Sequence, residues 1–201
     1  MKKIFLKEAL IGLDIDGVFR NFTKAYNEAY NIEAASGHTI VFPYTRAKVP
    51  LVDINFEPPI YHFSDNDIYD KKILDCAWLL HQSTMFEHAE LYNGAKNMFE
   101  FINEVGCEHS FFITHQFTKE AEIATLKWLL KHDLAHSCIF CPGDDKWKYC
   151  DVLLDDKIEN LEAMDRLGKI SFCLARPWNT DYKGKRGTYN DFKEFLLEIG
   201  V

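Results

Sequence analysis

The stretch Ala9-Leu-Ile-Gly-Leu-Asp-Ile-Asp-Gly17 decides the fold class of this 201-residue chain. Its apolar run ends in acidic residues, a pattern typical of a buried β-strand. Asp14 and Asp16 stand two residues apart, so on an ideal strand their side chains share one face. Gly17 permits the chain to turn directly afterwards. We therefore expect this strand to deliver two carboxylates to one edge of a sheet.

Four further apolar runs are predicted to be strands, at about 110–114, 138–141, 152–154 and 169–175. Helical patterns follow over about 95–105, 118–130, 158–167 and 188–199, the second with Ile123, Leu126 and Leu130 on one face. Thr118 is a candidate N-cap, and Thr188-x-x-Asp191 resembles a capping box. Strands that alternate with helices indicate an α/β, Rossmann-like core, with a parallel sheet and helices on both faces.

The region from Gly17 to about Asn93 interrupts this alternation. It is rich in aromatic residues, shows mainly helical patches and contains four of the six prolines, at positions 43, 50, 58 and 59. We interpret residues 18–93 as a mainly helical cap domain inserted after the first strand. Residues 1–17 and 94–201 then form the core domain.

Composition excludes several classes of protein. Hydrophobic residues make up 47% and charged residues 27% of the chain, which is ordinary for a globular protein and excludes intrinsic disorder. The net charge of -8 argues against a general binder of nucleic acid, because that affinity depends on Lys and Arg. No apolar stretch is long enough to span a membrane, and the first residues lack the pattern of a signal peptide. We expect a cytoplasmic protein whose six cysteines are reduced.

Polar side chains stand at the carboxyl ends of four predicted strands, where open α/β sheets bind their ligands. In chain order they are Asp14, Asp16, Thr114, Lys146, Asp155 and Asp156. Four clustered carboxylates cannot all stay ionised without compensation, so a divalent cation and the Lys146 ammonium are expected among them. Oxygen ligands beside a phosphate suit Mg²⁺. The set predicts phosphoryl transfer with a carboxylate nucleophile.

These motifs, in this order, resemble the four motifs of the haloacid dehalogenase superfamily of phosphatases. The stretch Asp14-Ile-Asp-Gly-Val-Phe-Arg-Asn-Phe22 is similar to the first motif of its 5'(3')-deoxyribonucleotidase branch, and Asp151-Val-Leu-Leu-Asp-Asp-Lys157 to the fourth. Arg176-Pro-Trp-Asn179 is similar to the bacterial and phage-type members.

The resemblance implies a role for each matching residue. Asp14 is the nucleophile and a Mg²⁺ ligand, and Asp16 is the general acid and base, with its backbone carbonyl at the metal. Asp155 and Asp156 serve the metal, directly or through water. It also implies that Thr114 and Lys146 hold the phosphate and that Phe22 stacks on the base. Beside these, His115 is a candidate for phosphate binding, and Arg20 and Trp78 are candidates for substrate or base binding.

Some positions depart from the family pattern. His115 and Gln116 follow Thr114, where the family usually has a small residue, and His115 faces the substrate or orients the loop. Lys146 lies one residue closer to the fourth motif than expected, and Lys148 is a competing candidate. Cys138-x-x-Cys141 invites a zinc interpretation, but it has no second pair, and packed core thiols are preferred.

The sequence therefore predicts a Mg²⁺-dependent phosphatase that hydrolyses nucleoside 5'-monophosphates, with pyrimidine deoxynucleotides favoured, through an aspartyl-phosphate. Alternatives are a phosphatase for another small phosphate ester or for nucleic-acid 3'-phosphate ends, and a non-catalytic nucleotide-binding protein. The expected partner is a small-molecule nucleotide, with no nucleic acid and no membrane. The oligomeric state stays open, a homodimer included.

Overall fold

The computed structural model describes residues 9–36, 50–105, 109–134 and 136–200. Within them, the strands are β1 (Ile11–Leu13), β2 (Ser110–Thr114), β3 (Cys138–Phe140), β4 (Val152–Asp155), β5 (Ile170–Leu174) and β6 (Arg186–Gly187). They form one sheet in the order β3-β2-β1-β4-β5-β6, and all neighbours pair in parallel. β1 lies at the centre between β2 and β4, so its carboxyl end is surrounded by those of its neighbours.

The α-helices in the described residues are α1 (Phe22–Ser36), α2 (Lys71–His88), α3 (Ala95–Glu104), α4 (Lys119–Lys131), α5 (Ile158–Arg166) and α6 (Tyr189–Ile199). Two predicted caps are confirmed. The Thr118 hydroxyl accepts a hydrogen bond from the Ala121 amide at the start of α4. Thr188 and Asp191 form the reciprocal capping box of α6. These caps satisfy amides that the first helical turn leaves without partners.

Both faces of the sheet are covered. On one face, Leu13 and Phe112 pack with α3, α4 and α6, and Trp128 of α4 is fully buried there. On the other face, Ile113 and Leu153 pack with Met164 of α5. Apolar residues that alternate between two covered faces explain why the strands are continuous apolar runs in the sequence. The predicted α/β class, with helices on both faces, is confirmed.

Two details of the prediction were wrong. Ile123, Leu126 and Leu130 of α4 are exposed, because the helix buries its opposite side through Ala121 and Ala124. Those small side chains let α4 approach its neighbours closely. The two-residue strand β6 was also missed, because so short a segment carries no periodicity that could identify it.

The insertion after β1 is mainly helical. α1 and α2 pack on each other around a second apolar cluster that includes Tyr30 and Leu74. The proposed boundaries at 17/18 and 93/94 stay predictions, and residues 1–8 and 37–49, which belong to these predicted units, lie outside the described residues. None of the helices in the described ranges is long and apolar enough to serve as a membrane span.

Candidate active site

The centre of the site is a buried ion-pair network at the carboxyl end of β1. Asp14 directly follows the strand, and its amide donates to the Leu154 carbonyl at 2.9 Å. Lys146 Nζ lies 2.6 Å from Asp14 Oδ1 and 2.7 Å from Asp155 Oδ2. Asn160 Nδ2 also donates to Asp155 Oδ2, at 3.0 Å. The network therefore fixes the orientation of two carboxylates and one ammonium at the sheet edge.

The structure separates the two candidate lysines. A 3-10 helix after β3, Gly143–Lys148, turns Lys146 inward, where it is 3% exposed. Lys148 is exposed, and its Nζ pairs with Asp145 Oδ1 at 2.6 Å instead. Lys146 is consequently the lysine that can hold a phosphate beside Asp14.

Asp156 adds a third carboxylate next to the loop after β1. Trp178 Nε1 donates to Asp156 Oδ2 at 2.9 Å. Gly17 has a φ of +76°, and a Cβ atom there would collide with the Asp156 carboxylate. Glycine is thus required at this position both for its backbone conformation and for space.

Burial dominates the electrostatics of these groups. It raises the pKa of Asp14 well above the ordinary value, and Lys146 opposes that rise. Burial and the neighbouring Asp155 raise the pKa of Asp156 to about 7. Burial disfavours the Lys146 ammonium, but Asp14 and Asp155 outweigh this and raise its pKa, so Lys146 stays charged. Lys146 is thus one buried cation among the three carboxyl groups of Asp14, Asp155 and Asp156. A second positive charge beside these groups would be favourable.

The acidic groups fit a hard divalent cation. One carboxylate oxygen each from Asp14, Asp155 and Asp156 lies within 4.8 Å of the others, and all three residues are buried. Within the described residues, Asp156 Oδ1 is buried and has no hydrogen-bond partner. An orphaned buried oxygen beside two carboxylates is a ready ligand for Mg²⁺, which prefers oxygen. Cys138 and Cys141 join no such cluster in that part of the chain.

Asp16 lies beside this cluster rather than in it. Its carboxylate faces the cavity, with 27% of the side chain exposed. Arg20 donates to both carboxylate oxygens, and Gln116 Nε2 donates to Oδ2 at 2.9 Å. The metal role implied for Asp16 involves its backbone carbonyl and stays a prediction.

Arg20 does not contact the substrate space, contrary to its predicted role. It is fully buried and does not line the cavity. Arg20 was a candidate for substrate or base binding, and it lies within the first-motif stretch Asp14–Phe22. The turn after β1 instead folds Arg20 back behind Asp16, since the Phe19 and Arg20 amides both donate to the Ile15 carbonyl.

A cavity of about 550 Å³ opens from the acidic groups toward the helical insertion. This size lies within the range of about 300–1,000 Å³ that is usual for small-molecule sites. Thr114 and His115 line its polar end, beside the acidic groups, and Phe22, Trp78 and Phe86 line the aromatic wall that α1 and α2 provide. Burial, with Lys146 and Lys157 nearby, lowers the pKa of His115, so its imidazole is neutral at neutral pH.

Sequence reasoning missed several residues of the site. Gln116 and Asn160 orient Asp16 and Asp155, and Trp178 holds Asp156. Tyr61 comes from the insertion and lines the cavity, with Lys157 Nζ 5.1 Å from its ring centroid. A usable signal existed for Gln116, a polar residue two positions after Thr114, and for Trp178, which lies in the Arg176-Pro-Trp-Asn179 stretch.

The structure is similar to several solved hydrolases across nearly the whole chain. A haloacid dehalogenase family hydrolase from Deinococcus radiodurans, with bound phosphate and sodium, aligns with a TM-score of 0.63 and 12% identity over 96% of each chain. A predicted phosphoglycolate phosphatase from Haemophilus somnus aligns with a TM-score of 0.60 and 11% identity, over 94% of this chain and 98% of the other. This chain has the haloacid dehalogenase-like fold.

A third neighbour is a haloacid dehalogenase-like hydrolase from Streptococcus pneumoniae, with a TM-score of 0.58 and 12% identity, over 96% of this chain and 99% of that one. No family model and no curated protein matches the sequence. The haloacid dehalogenase-like fold agrees with the superfamily that the motifs predicted. The nucleotidase branch stays a prediction.

Proposed function

We propose that this protein is a Mg²⁺-dependent phosphomonoesterase that hydrolyses nucleoside 5'-monophosphates, pyrimidine deoxynucleotides foremost, through an aspartyl-phosphate. The observation that carries the proposal is the pairing of Asp14 with Lys146 at 2.6 Å, beside Asp155 and Asp156, at the polar end of a cavity with an aromatic wall. A nucleophile, a phosphate-binding cation and a metal-ligand set thus share one small space. The phosphatase neighbours with the same fold add support.

The first chemical step transfers the phosphoryl group to Asp14. A carboxylate oxygen of Asp14 attacks phosphorus, and the bond between phosphorus and the ester oxygen breaks. Asp16, protonated for this step, gives its proton to the leaving ester oxygen. Lys146 and Thr114 bind phosphoryl oxygens, and Lys146 also orients Asp14 for attack. The product is an aspartyl-phosphate at Asp14 and a free alcohol.

The second step regenerates the enzyme. Asp16, now a carboxylate, takes a proton from water as the water oxygen attacks phosphorus. The bond between phosphorus and Asp14 breaks, which releases inorganic phosphate. When bound, Mg²⁺ supplies positive charge beside the phosphoryl oxygens, and Asp14, Asp155 and Asp156 would hold it.

The aromatic wall of the cavity favours a planar substrate group. Phe22 stacks on Phe86 with 4.9 Å between ring centroids, and Trp78 lies 6.3 Å from Phe22. All three rings line the cavity. Stacking of a base on aromatic side chains is favourable by about 1–3 kcal/mol per base. A nucleoside monophosphate would place its phosphate at Lys146 and its base at this wall.

Phosphate release from a panel of esters tests the proposal. The panel contains ribo- and deoxynucleoside 5'-monophosphates, 3'-monophosphates and sugar phosphates, each with Mg²⁺ and with EDTA. We expect release from a few deoxynucleoside monophosphates with Mg²⁺ and none with EDTA. Release from sugar phosphates alone would keep the phosphatase chemistry and refute the nucleotide substrate. Tight nucleotide binding without release from any ester would indicate a non-catalytic binding protein.

A further inference from the structure

Arg20 is the one arginine on the turn after β1, and its guanidinium contacts Asp16 on one side and two helices on the other. Its Nε lies 2.7 Å from Asp16 Oδ1, and its Nη2 lies 2.8 Å from Oδ2. A two-point contact of this kind fixes the plane of a carboxylate as well as its position. Asp16 is a short side chain, so these two bonds determine where its oxygens face.

The other side of the guanidinium is anchored to two helices. Nη1 donates to the Phe86 carbonyl of α2 at 2.9 Å and to Thr125 Oγ1 of α4 at 3.1 Å. The guanidinium carbon lies 4.6 Å from the centroid of the Phe86 ring and 5.1 Å from that of Trp128. Arg20 is therefore held from behind while Asp16 faces the cavity.

Stability is a poor explanation for this arrangement. Arg20 is fully buried, and burying a guanidinium carries a desolvation cost that its ion pair does not reliably exceed. An apolar residue of similar volume would fill the space behind Asp16 without that cost. The two-point contact does provide something an apolar residue cannot, which is a fixed direction for the Asp16 carboxylate.

We propose that Arg20 is a positioning residue that aims the Asp16 carboxylate at the leaving oxygen of the substrate and ties it to the Phe86 segment of the cavity wall. The inference rests on the proposed function, since it assigns Asp16 its role as general acid. Arg20 touches neither substrate nor metal and acts only through Asp16. Gln116 donates a third hydrogen bond to the Asp16 carboxylate, from the cavity side.

Two esters with different leaving groups distinguish positioning from a general structural role. Thymidine 5'-monophosphate has an alkoxide leaving group that needs a proton from Asp16, whereas the phenolate of p-nitrophenyl phosphate leaves without one. The measured quantity is kcat/KM, which covers the steps through loss of the leaving group and leaves out hydrolysis of the aspartyl-phosphate. A defect in acid positioning should therefore affect the two esters unequally.

The test variant is Arg20→Lys, which keeps the charge and loses the two-point contact. We expect kcat/KM for thymidine 5'-monophosphate to fall about 100-fold, the size that a misplacement of about 1 Å costs a catalytic group. For p-nitrophenyl phosphate we expect a fall of less than about 10-fold. Arg166→Lys, the same change at an exposed residue of α5, should leave both values unchanged.

Thr125→Val covers the case in which Arg20→Lys does not fold. It removes one hydrogen bond of Arg20 Nη1 and keeps the shape of the side chain. We again expect kcat/KM to fall more for thymidine 5'-monophosphate than for p-nitrophenyl phosphate, but by a smaller factor. Combining Arg20→Lys with Asp16→Asn should lower kcat/KM for thymidine 5'-monophosphate no further than Asp16→Asn alone, because both substitutions remove the same function, proton donation by Asp16.

The outcomes separate the two claims. Equal losses on both esters, or additive losses with Asp16→Asn, would overturn the positioning role while the phosphatase function stands. A wild-type protein that releases phosphate from neither ester, with Mg²⁺ present, would refute the proposed function and the inference with it.

Discussion

The two ends of the cavity differ in how the chain builds them. At the phosphate end, Asp14, Lys146 and Asp155 come from strand ends or the turns that follow, and each is nearly fully buried with named polar partners. At the aromatic end, Phe22 of α1 and Trp78 of α2 pack as rings on a neighbouring helical cluster. One end is fixed by backbone register and hydrogen bonds, the other by packing.

This difference predicts how each end tolerates change. At the phosphate end, a substitution leaves a buried polar group without its hydrogen-bond partner, which costs free energy. Because those same groups bind the phosphate, we expect any substitution there to lower activity sharply. Ring packing is non-directional and spreads over several contacts, so the aromatic end should respond gradually. Substitutions at the phosphate end should affect every substrate, and those at the aromatic end only substrates with a base.

Asp14→Asn should have the largest effect. It removes the nucleophile and should lower kcat by about 10⁴-fold or more on all esters, as loss of a nucleophile does elsewhere. Phosphate release with Mg²⁺ measures it. Asp144→Asn, at an exposed acid of the neighbouring turn, is the matched control and should keep wild-type activity. Substantial turnover by Asp14→Asn would show that Asp14 is not the nucleophile.

Lys146→Met should come next. The lost ammonium leaves Asp14 and Asp155 without their shared cation, and we expect kcat to fall by about 10²- to 10³-fold, the cost of removing one group that stabilises transition-state charge. Circular dichroism on the same samples checks that the variant is folded. Lys148→Met should change little, because Lys148 pairs with Asp145 at the surface. A larger effect at Lys148 than at Lys146 would reverse the assignment.

The pKa of Asp156 predicts a pH-dependent response to Mg²⁺. Its folded-state pKa of about 7 lies above the ordinary 3.8, so the folded protein keeps a proton that the unfolded chain has lost. Stability without metal should therefore fall as the pH rises from about 4 to 7 and then level off. Mg²⁺ at about 100 times its Kd should add about 2.7 kcal/mol where the carboxylate is ionised.

Thermal melts with Mg²⁺ and with EDTA at pH 6 and pH 8 measure this effect. The rise in Tm on adding Mg²⁺ should be larger at pH 8, because the metal binds the deprotonated ligand. In Asp156→Asn, the rise in Tm on adding Mg²⁺ should be smaller and should differ less between pH 6 and pH 8. An equal Mg²⁺ response at both pH values in the wild type would contradict the assignment of Asp156 as a ligand.

Trp78→Ala should have the smallest effect and the most selective one. We expect KM for a nucleoside monophosphate to rise about 10-fold, within the range for loss of one base-stacking ring, while p-nitrophenyl phosphate is hydrolysed with little change. Leu79→Ala, at a 72% exposed neighbour on the same helix, is the control. Equal losses on both esters would show that Trp78 supports the fold rather than a base.

Much of the phosphate end could be predicted from the sequence. The acidic and hydroxyl residues follow apolar runs directly, so the register of a parallel sheet brings Asp14, Thr114 and Asp155 together without knowledge of any loop. The choice between Lys146 and Lys148 could not be made, because it depends on how a short 3-10 helix is oriented. Spacing alone leaves both lysines in reach.

Arg20 shows a different limit. Its position next to the first motif suggested contact with substrate, but its place behind Asp16 is decided by Phe86, Thr125 and Trp128, which are distant in sequence. The exposed apolar face of α4 has the same origin, because the packing partner of a helix decides which side is buried. Long-range packing of this kind leaves no local pattern in the chain.

Direct detection of a phosphorylated Asp14 tests the central claim most sharply. The protein is mixed with Mg²⁺ and thymidine 5'-monophosphate, quenched in acid within the first turnovers and analysed by peptide mass spectrometry. We predict one added phosphoryl group on the peptide that contains Asp14, removed by hydroxylamine and absent from Asp14→Asn. Phosphate release by the wild type with the phosphoryl group on another residue would contradict the account.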